Sequence, residues 1–282
     1  MRIITRTVYG ASLQTALLLG IPYQPAENTT LNEKFNVEPA ADLGNALPHV
    51  QYFCIGNGGH RVIVGADNIP YTSPLNHRAK DAALFNHIPF VIREADDDLT
   101  IDQREQYALR RREVINGVDY VAYYLKRMNV QQVSMVMQHT SVIEGNSTTT
   151  PFVPTSDELN PTPPELPSTG VITTDGNYLT SSAIVPVLFD ENDVRELVNV
   201  AQILYENDQR AVISEIGLCS GIDRVVTAEG PTGQFNYREA VGVQIASHIT
   251  GYYPVGYSNR GFELQVEAGA TEPMLGEGVR QG

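Results

Sequence analysis

Between Glu144 and Gly176 six prolines (Pro151, Pro154, Pro161, Pro163, Pro164 and Pro167) stand among serines and threonines. Proline fixes φ and has no N–H to donate, so this density does not suit a conventional element. Structureless connections longer than about 15 residues are uncommon inside compact domains. The stretch therefore divides the chain, as an interdomain linker or as a functional loop. Proline-rich segments are already stiff, and one that lies along a neighbour loses little entropy. That suits assembly better than catalysis. Pro151, Pro154, Pro161, Pro163 and Pro164 are its expected contact residues.

On either side the chain reads as short strands and turns. Its 282 residues include 23 Gly and 17 Pro, a supply of chain reversals that does not suit a helical bundle. Val50–Ile55 is an expected strand, Gly56-Asn57-Gly58-Gly59 a turn and Arg61–Val64 a second strand, together a hairpin. Asn116-Gly117 joins two β-rich runs, Ala108–Ile115 and Val118–Arg127. This pair favours a type I′ turn because both central residues need positive φ. Both faces of the second run carry apolar groups, so it expects partners on both sides. A strand over Gln132–Val142 is expected to extend the same sheet.

Past the prolines, Leu179–Phe189 predicts a strand. Asp190, with Asp193 three residues on, predicts a capped helix to about Tyr205 with an apolar stripe through Val194, Leu197 and Ala201. Ala211–Leu218 predicts a strand, Ser220–Asp223 a turn, and residues 225–236 a glycine-containing loop. Tyr237–Gly251 fits strand or helix. Short helices are expected near Arg78–Phe85 and after Thr100. Near the N-terminus Arg2 and Arg6 precede the apolar Ala16–Leu19, which Gly20 and Pro22 end. That run predicts a short helix or docking arm rather than a secretory signal.

The expected class is α+β, mostly antiparallel β with a few short helices and long extended arms. The expected organisation is a helix and extended arm over 1–48, a β-rich domain over 49–143, the proline-rich connection over 144–176, an α+β segment over 177–268 that completes the core, and a flexible tail over 269–282.

Charge narrows the function. The net charge is −14, which rules out an overall basic nucleic-acid footprint. Residues 1–127 hold 13 Lys/Arg against 14 Asp/Glu, and residues 128–282 hold 6 against 19. An acidic half is either a solvated surface or one past which DNA moves without sticking. Arg110, Arg111 and Arg112 form the best basic cluster. They are expected to reach the acidic half of a neighbouring copy. No apolar run approaches the roughly 18–20 residues of a membrane span.

Enzyme chemistry finds little support. His60, His77 and His87 lack metal-site spacing, and His77 and Asp81 would share a face only if a helix formed there. Gly56–Gly59 lacks the Lys-Ser/Thr of a phosphate loop. Cys219 near a strand end is more simply a buried thiol than a nucleophile. Asp96-Asp97-Asp98 reads as a solvated turn. No catalytic, cofactor-binding or metal-binding residue is therefore assigned, and no cofactor is expected.

Four blocks carry a resemblance: Ile55-Gly56-Asn57-Gly58-Gly59-His60, the run from Ala66 to Arg93, the run from Asn116 to Tyr124, and the run from Glu215 to Asp223. Together they resemble virion structural proteins of contractile-tailed bacteriophages, of the neck or collar type. The resemblance implies a non-enzymatic ring subunit between head connector and tail, in the virion and assembled in the host cytoplasm. Its implied partners are copies of itself in sixfold or twelvefold symmetry, connector, tail terminator or sheath and tube proteins, and passing DNA without specific binding. A baseplate or other tail position is the alternative. A hydrolase using Cys219 or a His–Asp pair, and a carbohydrate-binding module, are readings of other classes.

Overall fold

The computed structural model describes residues 3–37, 42–143, 146–161, 176–256 and 260–274. In chain order the elements are β1 (Ile3–Arg6), α1 (Val8–Leu19), α2 (Leu31–Lys34), β2 (His49–Gly56), β3 (His60–Val64), β4 (Pro70–Pro74), β5 (His87–Ile88), β6 (Val91–Glu94) and α3 (Ile101–Arg104). They continue as β7 (Tyr107–Ile115), β8 (Val118–Arg127), β9 (Met135–Ile143), β10 (Asn146–Pro151), β11 (Tyr178–Phe189), α4 (Glu191–Tyr205), β12 (Val212–Gly230), β13 (Gly233–Pro254) and β14 (Phe262–Pro273). The class is α+β, mostly antiparallel β with short helices.

Two units form, each from two stretches of chain. The first comprises residues 1–128 and 188–263, the second 129–187 and 264–282. The first unit is built on an eight-stranded sheet with the path β1-β13-β12-β2-β8-β6, to which β5 adds at β2 and β7 at β8. Its core gathers Tyr52, Cys54, Ile92, Leu109, Leu125, Cys219, Val243 and Ile245 from the strands, with Leu31 from α2 and Val200 from α4. Beside it, the Phe53 ring meets Phe90 and Phe189 edge-on at 5.1 and 5.5 Å.

Local chemistry sets several of these elements. Asn116 (φ 50°) and Gly117 (φ 81°) make the tight reversal between β7 and β8. Asp190 caps α4 by accepting from the Asn192 and Asp193 amides, and the Asp193 carboxylate accepts from the Asp190 amide in return. The Thr100 hydroxyl caps α3 in the same reciprocal way with Gln103. Thr7 caps α1, and Gly10 on that helix lies so close to β13 that a Cβ would strike the Ala246 carbonyl oxygen.

Other expectations need correction. β2 and β3 do not form a hairpin: β2 pairs with β12, β8 and β5, and β3 with β4. The loop between them is fastened to β12, because the Gly58 and Gly59 amides donate to the Glu215 and Ser214 side chains. No helix forms over 78–85, where the chain runs through turns. Residues 220–236 are neither turn nor loop through most of their length. They belong to β12 and β13, a hairpin of 19 and 22 residues reversed at Pro231-Thr232. β9 does not extend the β7–β8 sheet. It lies in a separate four-stranded sheet of order β10-β9-β11-β14 in which β11 and β14 begin or end beyond the second unit.

The proline-rich stretch is also more ordered than expected at its start, since residues 146–151 pair with β9. The expected tail starts within β14, which runs to Pro273.

Candidate interaction surface

Six of the eight residues expected to make intermolecular contacts lie among the described residues. Arg110, expected to reach a neighbouring copy, is buried within its own chain. Its guanidinium donates to the Asp98 carboxylate at 2.9 and 3.2 Å and to the Glu229 carbonyl at 3.0 Å. Arg111 is half-buried. Arg112 is exposed, with a long contact of 3.5 Å to the same Glu229 carbonyl. Pro151 ends β10, and Pro151, Pro154 and Pro161 are exposed. Pro163 and Pro164 lie outside the described residues.

The surface carries exposed apolar groups, some of them in the Ala16–Leu19 run expected as a short helix or docking arm. On the outer side of α1, Val8, Leu17, Leu18 and Leu19 are exposed, Leu18 by 84%. This helix contains no charged residue, and only Leu13 and Ala16 are buried. The same helix also exposes Ser12, Gln14 and Thr15. A second patch is the two-stranded β3–β4 hairpin, where Val62, Val64, Ile69 and Tyr71 are exposed. A third lies on β9 and β11, where Met135, Val136, Met137 and Ile184 are exposed.

Among the described residues no strand pairs beyond β10 or β14 in the four-stranded sheet, and α1 to α4 all lie in the first unit. Every residue of β10 is exposed. Few side chains of this unit are buried; Thr140, Ser182, Val187, Leu264 and Val266 are among them. Residues 129–187 contain no Lys or Arg, and the whole unit has one against eight Asp/Glu. Edge lysines are a common means by which proteins discourage strand addition, and β10 has none.

Two polar centres lie beneath the surface of the first unit. In one, the fully buried Glu215 accepts from the Gly58, Phe85 and Asn86 amides, each at 2.9 Å, and lies 2.7 Å from His77 Nε2. His77 stacks between Phe85 at 4.0 Å and His248 at 3.8 Å, with its Nδ1 3.5 Å from Asp81. His77 and Asp81 thus meet without the helix that their spacing required. Burial would raise the Glu215 pKa, but the His77 bond and the amide bonds hold it below the usual carboxylate range. In the other, the Asp98 carboxylate accepts from Tyr123 at 2.6 Å and faces Arg104 and Arg110. The expected solvated turn at Asp96–Asp98 is therefore wrong at Asp98, whose side chain is fully buried.

Cys219 is buried in the middle of β12, its Sγ 3.6 Å from that of Cys54. Its pKa is raised by burial and by Cys54. Among the described residues no three His, Cys, Asp or Glu side chains gather as a metal site, and no helix is long and apolar enough to cross a membrane.

The histidine stack makes the fold sensitive to mild acid. His248 is completely buried and its pKa falls to about 4, chiefly through burial, with His77 adding to the shift. The Asp81 carbonyl, Asp81 and Glu215 oppose it. A histidine in the unfolded chain takes up a proton near pH 6.5, whereas the folded one resists until about 4. Stability is therefore full above pH 6.5 and falls between 6.5 and 4, by on the order of 3 kcal/mol at the lower end. Urea titrations at pH 7.5, 5.5 and 4.5 should show this fall, and His248→Gln should flatten it. An unchanged slope in that variant would remove His248 as the cause.

Comparison with known proteins gives membership without a role. A family model described as a family of unknown function, DUF7208, matches residues 1–281, and the chain belongs to that family. No curated protein and no solved structure matches it.

Proposed function

We propose that this DUF7208 member is a structural, ring-forming subunit of the neck of a contractile-tailed phage particle, joining the head connector to the tail. The observation that carries the reading is the four-stranded sheet of the second unit. Among the described residues it keeps open edges, it exposes Val136 and Ile184 on one face and Met135 and Met137 on the other, and few of its side chains are buried. A sheet gains independent stability by burying an apolar face, and contiguous exposed apolar surface marks an interaction site. The exposed run Leu17–Leu19 at the end of α1 supports the same reading.

The groups that invited an enzymatic reading are used otherwise. Glu215 and His77 fasten the loops at Gly58 and Phe85 to β12, and Cys219 fills the sheet core. The absence of Lys and Arg from residues 129–187 suits a surface that DNA passes without adhering.

Sedimentation velocity and negative-stain microscopy of the purified chain test the proposal. The expected result is a closed ring of six or twelve copies, formed alone or on its connector partner. A persistent monomer under both conditions would reject it. Labelling of intact particles should place the protein at the head–tail junction; label at the far end of the tail would assign it to the baseplate instead.

A further inference from the structure

Arg104 and Arg110 are two buried guanidinium groups that share one carboxylate, that of Asp98. Among the described residues neither has a second Asp or Glu within ion-pair distance. The buried Glu239 nearby is taken up by the Tyr237 hydroxyl. A buried cation is costly unless it is paired and hydrogen-bonded, so this end of the first unit holds positive charge in excess.

The hydrogen bonds of Arg104 leave one terminal nitrogen over. Its Nε donates to the Tyr123 hydroxyl at 3.3 Å, and its Nη2 to the Leu99 carbonyl at 2.5 Å and to Asp98 at 3.4 Å. Nη1 takes no partner among the described residues, although the residue is only 7% exposed. The Phe235 ring covers one face of the guanidinium at 3.6 Å and holds it in place.

Arg104 lines a small recess, together with Arg127, Arg238, Asn236 and Glu105. The recess measures about 40 Å³. At roughly 10–15 Å³ for each water it has room for about three, the size of one oxyanion and too small for a sugar or a base. The other walls carry spare donors too. Arg127 gives Nη1 to the Asp223 carboxylate at 2.6 and 2.8 Å, Nε to the Glu105 carbonyl at 3.1 Å and one Nη2 hydrogen to the Arg238 carbonyl at 2.9 Å. Its second Nη2 hydrogen is left over. The half-exposed Arg238 guanidinium meets Glu105 at 3.7 Å, too long for a hydrogen bond. The backbone adds to these. The Arg238 carbonyl turns towards Arg127 and so away from β12, and in an antiparallel strand the Arg238 amide and the Asn236 amide point the same way. The other neighbour of β13, β1, pairs only with residues 247–250.

We infer that this recess binds one tetrahedral oxyanion of the phosphate class, as free phosphate or as the phosphate group of an ester. Donors reach it from α3, from the end of β8 and from the edge of β13. Three directions suit a tetrahedral ion better than a flat carboxylate. Arg104 is the fixed member, and its unused Nη1 supplies a charge-assisted bond. Arg238 is the movable one, and gives up its loose contact with Glu105 to close on the ion. The inference is independent of the ring reading.

Calorimetric titration of the purified chain with sodium phosphate, at neutral pH and constant ionic strength, tests it. The expected result is saturable uptake of one ion per chain. Arg238→Ala should weaken binding by about tenfold. Glu105→Gln removes the competing carboxylate and should tighten binding by about two- to fivefold. Both side chains are exposed, so the urea midpoints should stay near that of the wild type. A loss in one variant and a gain in the other is a pattern that damage to the fold does not produce. Methyl phosphate separates the sources: equal binding makes an ester's phosphate group a ligand, and its exclusion restricts the site to free phosphate. No saturable binding, by calorimetry and by phosphorus NMR line broadening, would overturn the inference. Equal affinities in the wild type and both variants would also overturn it, by placing the ion elsewhere. Acetate bound more tightly than phosphate would overturn the choice of ion.

Discussion

Asp98→Ala is expected to destabilise the protein by about 3–5 kcal/mol, the range for breaking a buried ion pair by removing one partner. The Asp98 side chain is fully buried, and one of its oxygens faces both Arg110 and Arg104, at 2.9 and 3.4 Å. Its other oxygen accepts from the Tyr123 hydroxyl, whose pKa rises through burial and through that bond. Alanine would leave two guanidinium groups in the protein interior without their carboxylate. Arg104 would keep the Leu99 carbonyl at 2.5 Å and the Phe235 ring beneath it at 3.6 Å, and Arg110 the Glu229 carbonyl. The loss should therefore be large but short of complete unfolding. Urea midpoints measure it, and a double-mutant cycle with Arg110→Met assigns it. A coupling energy of about 2 kcal/mol is expected between contacting buried charges. Simple additivity would mean that the pair contributes nothing beyond its separate members.

Glu215→Ala should cost a similar amount for a different reason. Four donors converge on this carboxylate, three of them backbone amides of the part-buried loops at Gly58 and Phe85–Asn86. Each buried donor left unsatisfied costs about 1–3 kcal/mol, though relaxation keeps such losses from adding fully. A total near 4 kcal/mol is expected, with the loops at Gly58 and at Phe85–Asn86 loosening first. Hydrogen exchange should show those amides losing protection together. Glu215→Gln keeps one acceptor oxygen but points an NH₂ group at the other donors, so an intermediate loss is expected. The depressed pKa of Glu215 gives a matching acid dependence. Its stabilisation is present above the unfolded-state value and lost as pH falls through the lower folded-state value. A Glu215→Ala loss under about 1 kcal/mol would show that the cluster is not what fastens these loops.

Neither of these centres was legible beforehand. Asp98 sits in a run of three aspartates, and only long-range pairing, with β7 and the far end of β12 beside it, decides which one turns inward. Glu215 falls within a resemblance block, but its donors come from residues more than 120 positions earlier in the chain. Signals that act over a few residues were readable. Asn116-Gly117, the Asp190–Asp193 capping box and the Thr100 cap form as their local chemistry requires.

The β12–β13 hairpin was misread because Gly221 and Asp223 look like turn residues. In the sheet they serve close packing and pairing. A Cβ on Gly221 would crowd the Val243 and Tyr52 side chains, and Asp223 accepts from Tyr52 and Arg127. The four-stranded sheet was missed for the opposite reason. Strands such as Asn146–Pro151 carry threonine where a buried strand would carry valine or isoleucine, so they lack the apolar alternation that marks a half-buried element.

The pairing of β1 with β13 has a consequence for synthesis. Ile3 to Arg6 bond to Ser247 to Thr250, so β1 waits for a partner made more than 240 residues later. At roughly 5–20 residues per second a ribosome needs many seconds to cover that interval. Until then the leucine-rich helix after β1 has no sheet to lie against. A product terminated before β13 would lack that seat, so such fragments should be cleared by proteases.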